Sequence, residues 1–557
     1  MRILSTSKNN CKNCYKCIRT CPLKAIEFSN FQAQIIDDDC VLCGMCYNVC
    51  PQDAKRLVTD IEFIKTWLLQ GEEVIISIAP SYLSDFYKSD FSSIKNAFMA
   101  LGFKDVMQTA EAATYVKKNY EEKLSHPDTK MLISSCCPTV NLLIQKHYPS
   151  LLPFLADTPS PMVVHGEHIK KRHPNSKVVF VGPCISKKHE QLMNKDCVDA
   201  VLSFKEMKQW FLDDGIAYDK KDKNTPVTGR TNQFPTAGGI VKSFTTYEPS
   251  IHYLSIDGMG ECIDALEDIK HGIIDNCFIE MSACKGSCTG GPLRNRIQHT
   301  PVKSLININR HLNTHDYIID DYVVERKQVF DNLSTTNKHL DDDTLNTILK
   351  KMGKTDAKMQ LDCGSCGYNT CLDKAKAIAL GKADLTMCLP YLKDKAESFS
   401  DHVIHSSPNG VIVLNDKLQV QVMNQAACTM LGLKNNQSML SENIAKIKDP
   451  TMYYDFLESK KTKANTRYYF EGFERYIDET IAYDKQFNIY VCILRDITKE
   501  VKREIAKTET QKQALKITDD VLLKQMRAVH EIASLLGETT ADSKAALTKL
   551  KAVISDE

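Results

Sequence analysis

The sequence predicts a multidomain chain with an α/β centre, a following α+β segment and a helical end. Three observations favour this fold class. The 557 residues are enough for several domains. Apolar strand-like runs alternate with helical stretches from residue 60 to residue 331, as is typical of an α/β domain. The 22 cysteines fall into groups with short, regular spacing, which indicates metal binding rather than disulfides.

Composition excludes several classes of function. The formal net charge is +1, so neither a nucleic acid nor a membrane surface is an expected partner. No apolar run approaches the roughly 20 residues that span a bilayer. The opening residues, MRILSTSKNN, are polar and do not resemble a signal peptide. We therefore expect a cytoplasmic protein.

Residues 1–59 contain an internal repeat. The spacing C-x2-C-x2-C-x3-C-P occurs twice, displaced by 29 residues. It resembles the bacterial two-cluster ferredoxin pattern, in which the fourth cysteine of each run binds the other cluster. The resemblance implies one 4Fe-4S cluster on Cys11, Cys14, Cys17 and Cys50, and a second on Cys40, Cys43, Cys46 and Cys21. Zinc is the alternative, but three closely spaced cysteines with a trailing Cys-Pro disfavour it.

Three stretches within residues 60–331 carry a further group of thiols. They read SSCCPTV at 134–140, VGPCISKKHE at 181–190 and FIEMSACKGSCTGGP at 278–292. Small residues let the backbone close on a bulky inorganic group, and thiolates suit iron–sulfur centres. Apolar runs at 73–79, 130–135 and 177–182 predict buried strands, and α/β sheets place their sites at the carboxyl ends of strands. Buried structural thiols are the alternative, but they would not explain the spaced glycines and Lys187.

In this order, the three stretches resemble the signature motifs of the iron-only hydrogenase active-site domain. The resemblance implies that Cys137, Cys184 and Cys284 bind a 4Fe-4S cube and that Cys288 bridges it to a diiron unit carrying CO, cyanide and a dithiolate. It also implies that Lys187 holds a cyanide, a suitable role for a compact ammonium with three donors. The other residues that it places at the cofactor are Pro80, Ser81 and Pro161.

The resemblance also implies a proton route, and the sequence departs from it. Cys136 matches the thiol that passes protons to the diiron unit, and Glu190 matches a glutamate further along. Relatives carry a glutamate and then a serine towards the exit. We expect Lys117 and Lys118 here at the position of the glutamate, and Ala156 at that of the serine. Neither alanine nor a charged lysine relays protons at neutral pH. The predicted route therefore lacks its usual exit.

Three further departures concern the lining of the cofactor pocket. Gly182 and Ser282 stand where hydrogen-producing relatives usually carry methionines, and Met162 stands where they carry glutamine. We expect Gly182 to remove bulk and Ser282 to add a hydroxyl beside the cofactor, where second-shell hydrogen bonds tune a metal centre. These changes resemble the sensory branch of the family.

A polar bridge at 331–344 leads to a second metal segment at 345–395. Its spacing is C-x2-C-x4-C-x16-C, which resembles a small 4Fe-4S domain with a helix across the long gap. The implied ligands are Cys363, Cys366, Cys371 and Cys388. A zinc or purely structural role is the alternative. A fourth cluster, after the two ferredoxin-type clusters and the active-site cube, suggests a redox reporter.

Residues 400–500 resemble a PAS sensor domain. Apolar runs at 411–414 and 418–423 predict a hairpin, Asn424 is a suitable N-cap for the next helix, and a strand at 488–494 runs into Asp496-Ile497-Thr498. The segment between Ser406 and Glu500 lacks histidine and the flavin-binding cysteine motif, so we expect neither haem nor flavin.

Residues 501–557 predict a helical hairpin or a dimeric stem. Apolar residues recur at spacings of three, four or seven, as in a coiled-coil seam. The predicted seam consists of Leu515, Leu522, Met526, Val529, Ile532 and Leu536. Gly537 ends the first helix, residues 539–542 offer a capping box, and Leu547, Leu550 and Ile554 begin a second stripe.

Three functions remain open from the sequence. The first is a hydrogen- or redox-sensing protein that oxidises hydrogen slowly and signals to a kinase or phosphatase in trans, as a homodimer through the PAS segment and the stem. The second is a metabolic hydrogenase whose redox partner is a ferredoxin. The third is an iron–sulfur scaffold of hydrogenase ancestry without a diiron site. The PAS resemblance and the altered proton exit favour the first.

Overall fold

The computed structural model describes residues 2–30, 32–218, 229–294, 300–319, 324–335, 340–434, 439–458, 462–536 and 546–552. The chain divides into two compact units, Met1–Leu392 and Lys393–Glu557. No helix among the described residues is both long and apolar enough to cross a membrane.

The first unit opens with two copies of a short strand–helix motif. The elements are β1 (Leu4–Thr6), α1 (Lys16–Thr20), β2 (Ile26–Ser29), β3 (Gln32–Ile35), α2 (Met45–Val49) and β4 (Lys55–Leu57). β1 pairs antiparallel with β4, and β2 with β3. α1 and α2 begin at equivalent positions of the sequence repeat, each after a residue in the left-handed conformation, Tyr15 and Gly44.

The next part alternates strands with helices, as predicted. Its strands are β5 (Val74–Ile78), β6 (Asp105–Gln108), β7 (Met131–Ile133), β8 (Lys177–Gly182), β9 (Ala200–Ser203), β10 (His252–Asp257) and β11 (Cys277–Ser282). Its helices are α3 (Ile61–Leu69), α4 (Tyr82–Asp85), α5 (Phe91–Ala100), α6 (Thr109–Leu124), α7 (Pro138–His147), α8 (Pro161–Arg172), α9 (Ser186–Met193), α10 (Phe204–Asp213), α11 (Gly239–Ser243), α12 (Met259–Lys270) and α13 (Pro301–Asn309).

These strands form two parallel sheets. One has the order β6-β5-β8-β9 and the other β10-β11-β7. Each sheet has its own apolar core: Ile76, Val179 and Phe211 belong to the first, and Ile133, Leu143 and Ile279 to the second. The strands that precede the three cysteine stretches are β7, β8 and β11, so both sheets contribute to one site.

The end of the first unit is a small helical segment. It contains α14 (Asp342–Lys351), α15 (Cys371–Ala379) and the start of α16 (Leu389–Ser406). α15 begins at the third cysteine of the segment, in the long gap where a helix is predicted. An apolar cluster shared with the first 47 residues includes Ile18, Phe28, Tyr368 and Met387.

The second unit begins with an antiparallel sheet of order β13-β12-β16-β15-β14. Its elements are β12 (Gly410–Leu414), β13 (Val420–Met423), α17 (Gln425–Leu431), α18 (Thr451–Glu458), β14 (Lys463–Phe470), β15 (Arg475–Asp484) and β16 (Ile489–Asp496). β12 and β13 form the predicted hairpin, and the Asn424 side chain accepts a hydrogen bond from the Ala427 amide, as expected of an N-cap.

A buried ion pair lies in the core of this sheet domain. The carboxylate of Glu479 is fully buried and contacts the ammonium of Lys448, itself only 5% exposed. The hydroxyls of Tyr453 and Tyr468 donate to the same carboxylate at 2.6 and 2.9 Å. The charge is thus paired and hydrogen-bonded, as a buried carboxylate requires.

The chain continues into α19 (Thr498–Leu536), and residues 546–552 are helical. Lys551 and Asp519 form an ion pair of 2.5 Å between the two helices, as in the predicted hairpin. Four predicted seam residues, Leu515, Leu522, Met526 and Val529, are half-buried, whereas Ile532 is 55% exposed. The side chain of Leu536 and all of Gly537, residues 539–542 and Ile554 lie outside the described residues.

Candidate metal centre

The first active-site thiols follow β7. Cys137 caps the N-terminus of α7, with Pro138 in the first turn, and Cys136 precedes it. Proline suits this position because its fixed φ matches a helix and its missing N–H costs nothing there. The partial positive charge of a helix N-terminus favours the thiolate form of cysteine, which is the form that binds iron.

The remaining active-site thiols follow the strands β8 and β11. Cys184 follows β8, and its Sγ lies 3.1 Å from the Ser186 hydroxyl. Cys284 and Cys288 follow β11 in a loop that approaches its own backbone closely. A Cβ built on Gly290 would lie 1.9 Å from the Lys285 carbonyl oxygen, and one on Gly291 would lie 2.8 Å from that of Pro183. Glycine is therefore required at both positions.

The four active-site thiols, Cys137, Cys184, Cys284 and Cys288, lie close together. The first three are partly buried, whereas the Cys288 side chain is exposed. Desolvation raises the pKa of Cys284 well above its ordinary value, and the neighbouring Cys184, Cys137 and Cys288 raise it further. Desolvation by the surrounding loops also raises the pKa of Cys288, and the neighbouring Cys137 and Cys184 add to the rise. Thiols that disfavour each other's ionisation are suited to bind cationic iron, which deprotonates its ligands.

The donor set of this site consists of thiols alone, which suits an iron–sulfur centre. All four cysteines are free rather than paired in disulfides. The donor set therefore fits a 4Fe-4S cube.

A cavity of about 90 Å³ adjoins these thiols. The predicted cofactor residues Pro80, Ser81, Pro161 and Lys187 line it, together with Cys136 and Cys288. In the described part of the chain, the buried Ser81 hydroxyl has no hydrogen-bond partner. An unpaired buried hydroxyl is costly, and a bound ligand with acceptor atoms would satisfy it. The cavity thus fits a group that carries hydrogen-bond acceptors such as cyanide.

Lys187 presents its ammonium at this cavity. Its Nζ lies 2.6 Å from Glu190 Oε2 and donates to the Ser160 hydroxyl at 2.9 Å. Burial opposes the charge of Lys187, but Glu190, the nearest partner, raises the pKa of the ammonium above its ordinary value. Lys187 is therefore a stable cation at the cavity, and Glu190 is its counter-ion. The predicted part of Glu190 in a proton route stays a prediction.

Cys136 lies at the cavity and contacts a tyrosine that the sequence analysis missed. Burial raises the pKa of this thiol to about 12, and a hydrogen bond with Tyr120 opposes the rise. The Tyr120 hydroxyl lies 3.3 Å from the Cys136 sulfur and 3.0 Å from the Ser135 hydroxyl. Tyr120 thus contacts the thiol from α6, three residues beyond the expected position Lys117. Its aromatic character within the polar run KKNYEEK was the available signal.

The other positions expected in the exit of the proton route differ in their surroundings, and Ala156 belongs to an apolar cluster against which Cys136 packs. Lys117 is 1% exposed and forms an ion pair of 2.5 Å with Asp316. Lys118 is exposed, and Ala156 is buried. The hydroxyl of Ser282 lies 2.7 Å from that of Ser287, and Ser282 is not among the described residues that line the cavity. Met162 is buried and lines it.

The N-terminal thiols form two groups. The pKa of Cys46 is raised by burial and then by its neighbours Cys43, Cys40 and Cys21, with Lys55 opposing. The crossed ligand sets of the two N-terminal clusters stay predictions. Cys17 has Cys11 and Cys14 as neighbours. The Cys50 sulfur accepts a hydrogen bond from the Ala54 amide at 3.3 Å.

The C-terminal thiols, Cys363, Cys366, Cys371 and Cys388, line one small cavity of about 20 Å³. Two lysines lie beside it, Lys354 and the fully buried Lys374. Burial lowers the pKa of Lys374, and the thiols Cys366 and Cys388 oppose this. A buried ammonium beside four thiols fits an anionic thiolate-bound cluster.

Comparison with known proteins agrees with this geometry. A family profile described as the C-terminal domain of the iron-only hydrogenase large subunit matches residues 72–292. That segment is an iron-only hydrogenase domain. Three further profiles match on either side: a 4Fe-4S dicluster domain at 3–60, a putative Fe-S cluster segment at 360–390 and a PAS domain at 399–464. The chain therefore combines a hydrogenase domain with two iron–sulfur domains and a PAS domain.

Curated relatives match parts of the chain. A cytosolic Fe-S cluster assembly factor of Kluyveromyces lactis is 25% identical over 191 residues, which are 30% of this chain and 39% of the relative. This chain thus spans well under half of that protein's length. A ferredoxin of Methanothermococcus thermolithotrophicus is 35% identical over 49 residues, 8% of this chain and 82% of the ferredoxin.

Solved structures are similar to parts of the chain. An [FeFe]-hydrogenase of Chlamydomonas reinhardtii has 14% identity and a TM-score of 0.40, covering 50% of this chain and 100% of that chain. The PAS domain of an HTR-like protein of Haloarcula marismortui has 18% identity and a TM-score of 0.17, covering 19% of this chain and 93% of that domain.

Proposed function

We propose that this chain is a hydrogen- or redox-sensing protein that binds and slowly oxidises hydrogen at its hydrogenase domain. The observation that carries the proposal is the cavity beside Cys288. It brings together a buried cation, an unpaired buried hydroxyl and a thiol, from Lys187, Ser81 and Cys136. These groups suit a small inorganic cofactor with cyanide ligands better than an organic substrate.

Sixteen cysteines in four sets would hold four 4Fe-4S clusters. Cys137, Cys184 and Cys284 would bind the active-site cube, and Cys288 would bridge it to a diiron unit. When bound, the diiron unit would supply the reversible cleavage of hydrogen. Lys187 and Ser81 would donate hydrogen bonds to its ligands, while the apolar walls at Pro80 and Pro161 exclude water.

Cys136 would exchange a proton with the reacting atoms, and Tyr120 would hold its sulfur in place. A thiol with a pKa of about 12 stays protonated at neutral pH and is a weak proton donor, so proton transfer through it is slow. With Lys117 committed to Asp316, α6 offers a tyrosine rather than a carboxylate towards Cys136. Slow proton transfer supports sensing, since a slow site reports hydrogen without consuming much of it.

The domain content supports a signalling role. The PAS domain and the helical end follow the iron–sulfur domains along the chain, and PAS modules commonly serve in signalling or dimerisation. The proposed readers are a redox partner such as a ferredoxin and a kinase or phosphatase in trans. The proposed assembly is a homodimer through the PAS domain and the stem.

Two other functions are alternatives to this proposal. The likeness to an assembly factor favours an iron–sulfur scaffold without a diiron unit. The hydrogenase domain by itself also suits a ferredoxin-linked metabolic hydrogenase. The unpaired Ser81 hydroxyl beside Lys187 favours an occupied cavity and thus counts against the scaffold.

Infrared spectroscopy of protein matured with the diiron-assembly machinery separates these functions. We expect bands of bound CO and cyanide, and about eighteen irons per chain against about sixteen without maturation. Cys288→Ser should abolish the bands, because it removes the bridging thiolate. Cys262→Ser is the control: Cys262 is a buried thiol of the same domain that lies outside the ligand sets, so the bands should persist. Matured protein without CO and cyanide bands would establish the scaffold instead.

Turnover separates the sensor from the metabolic enzyme. Proton transfer by a positioned acid or base is worth about 10²–10⁴-fold in rate, so we expect hydrogen oxidation to be slower than in fermentative hydrogenases by about that factor. Rates equal to those of fermentative hydrogenases would support the metabolic function.

A further inference from the structure

The C-terminal thiols lie next to the ferredoxin-type thiols within the first unit. α1 carries Cys17 and runs into Cys21, so its 5 residues connect a predicted ligand of each N-terminal cluster. The loop at residues 364–368, which carries Cys366, packs against this helix. A Cβ built on Gly367 would lie 2.9 Å from Cγ2 of Ile18, so only glycine permits this approach.

Polar contacts also connect these two segments. Arg19 donates to the carbonyl oxygens of Gly364 and Ser365 at 3.3 and 3.2 Å. At the edge of the contact, Lys382 forms an ion pair of 2.5 Å with Asp39, and the Phe28 amide donates to the Lys382 carbonyl at 2.8 Å. The two iron–sulfur segments thus share a specific, close-packed interface rather than a loose association.

Lys24 lies at the centre of this interface. Its Nζ donates to the Gly367 carbonyl oxygen at 2.9 Å and approaches the Ile18 carbonyl oxygen at 3.3 Å. It also lies 5.9 Å from the centroid of the Tyr368 ring. Cys21 and Cys366, from the two different thiol groups, are both close enough to stabilise its charge. One ammonium therefore faces a ligand of each predicted cluster.

We propose that this interface is an electron-exchange junction between the ferredoxin-type site at Cys21 and the C-terminal site at Cys366, with Lys24 as its positioning residue. One electron leaves the reduced cluster bound through Cys21, which is oxidised, and enters the cluster bound through Cys366, which is reduced. No bond forms or breaks. The electron's origin in hydrogen rests on the proposed function, but the junction itself does not require it.

Through these contacts, Lys24 would affect the two predicted clusters in two ways. A cation close to both clusters stabilises the added electron on either one, since the interaction in a partly buried site is weakly screened. The hydrogen bond to Gly367 also fixes the separation of the two ligand loops. The electron would therefore reach the C-terminal cluster from the ferredoxin domain, although the hydrogenase domain precedes it along the chain.

Potentiometric titration of the cluster-loaded full chain, followed by electron paramagnetic resonance, tests the proposal. Dithionite reduces the clusters without hydrogen or a diiron unit, so failure here is separate from failure of the proposed function. We expect Lys24→Gln to shift the potentials of both the Cys21-side and the C-terminal cluster to more negative values. Lys24→Arg should restore both, and the active-site cube should not shift.

Lys16→Gln is the matched control, because it removes the same charge from the exposed side of α1. A Lys24→Gln shift no larger than that of Lys16→Gln, or a shift in one cluster alone, would overturn the role of Lys24.

A second measurement uses no Lys24 variant, so it applies even where those variants fail to fold. In fully reduced wild-type protein, magnetic interaction with the C-terminal cluster should add to the broadening of the ferredoxin-type signals. This added broadening should disappear in Cys371→Ala, which loses the C-terminal cluster. Identical ferredoxin-type spectra in the two proteins would refute the junction.

Discussion

The ring of Phe180 occupies the space that a side chain on Gly182 would need: a Cβ built on Gly182 would lie 2.7 Å from Cε1 of Phe180. The two residues point to the same face of β8, because side chains alternate along a strand. The sequence suggested that Gly182 removes bulk from the cofactor pocket. Phe180 lines the cavity and fills this space, so the bulk is supplied from a neighbouring position rather than lost.

Gly182→Ala tests this packing. The added methyl group would press on the Phe180 ring and lie 3.3 Å from the Ala79 Cβ. Overpacking of a core costs about 1–3 kcal/mol, so we expect a lower midpoint of thermal unfolding. Gly260→Ala is the control: Gly260 lies in α12 with nothing within 4 Å of its Cβ position, and alanine there should stabilise by about 0.5–1 kcal/mol. Equal changes of the unfolding midpoint in the two variants would show that the Phe180 ring moves aside without a cost in stability.

Glu280 predicts a pH dependence of stability. Burial raises the pKa of this carboxyl to about 7, against the opposing hydrogen bonds from backbone amides that include those of Val241 and Ile240. Between the ordinary value of 4.5 and about 7 the folded state holds a proton that the unfolded state has released. The unfolding free energy should therefore fall as pH rises through this window, by on the order of 3 kcal/mol.

Denaturant unfolding between pH 5.5 and 8 measures this effect. Glu280→Gln keeps an acceptor for the amides but cannot ionise, so the fall with pH should become shallower. Glu111, another largely buried carboxyl with a raised pKa, provides the comparison variant Glu111→Gln. An unchanged slope in Glu280→Gln would contradict the assignment.

The ion pair of the buried Lys117 with Asp316 predicts coupling between two mutations. Asp316→Asn removes the nearest carboxylate, but Glu121 stays 3.9 Å from the Lys117 ammonium. We therefore expect a cost below the roughly 3–5 kcal/mol of a fully broken buried pair. Lys117→Met together with Asp316→Asn should cost less than the sum of the single changes. A double-mutant cycle of unfolding free energies measures the coupling. Additive effects would mean that the ion pair does not govern this site.

The core of the PAS domain predicts a local effect. Glu479→Gln removes the partner of the buried Lys448, and Tyr453 and Tyr468 keep a weaker acceptor. Hydrogen exchange of β14–β16 should accelerate, while exchange in β5–β9 stays unchanged. Glu442→Gln breaks an exposed pair with Lys446 in the same domain and should have little effect, as surface pairs contribute about 0–1 kcal/mol. Exchange that accelerates equally in both variants would argue against a special role for Glu479.

The sequence alone predicted what depends on short-range order. Cysteine spacing identified the thiol groups, and apolar runs located β5, β8 and the hairpin of β12 and β13. The same reasoning missed Tyr120, because a helix places residues on a face by its phase, and one turn separates Lys117 from it. The division of the strands into two sheets also escaped prediction, since pairing depends on contacts between distant segments.

The interface around Lys24 shows the same limit. Nothing near Lys24 in the sequence points to Gly367, which lies far along the chain. The glycine at 367 was visible as part of CGSCG, but its need became clear only from its contact with Ile18.

The active-site thiols come from both parallel sheets, Cys184 from one and Cys137, Cys284 and Cys288 from the other. A cube bound to all four would hold the two sheets together. The stability of the domain against opening would then depend on metal loading. Newly made chains that lack iron would open more easily between the sheets and be better substrates for proteases. The amount of this protein in a cell would then follow the supply of iron and sulfide, independently of any hydrogen that it meets.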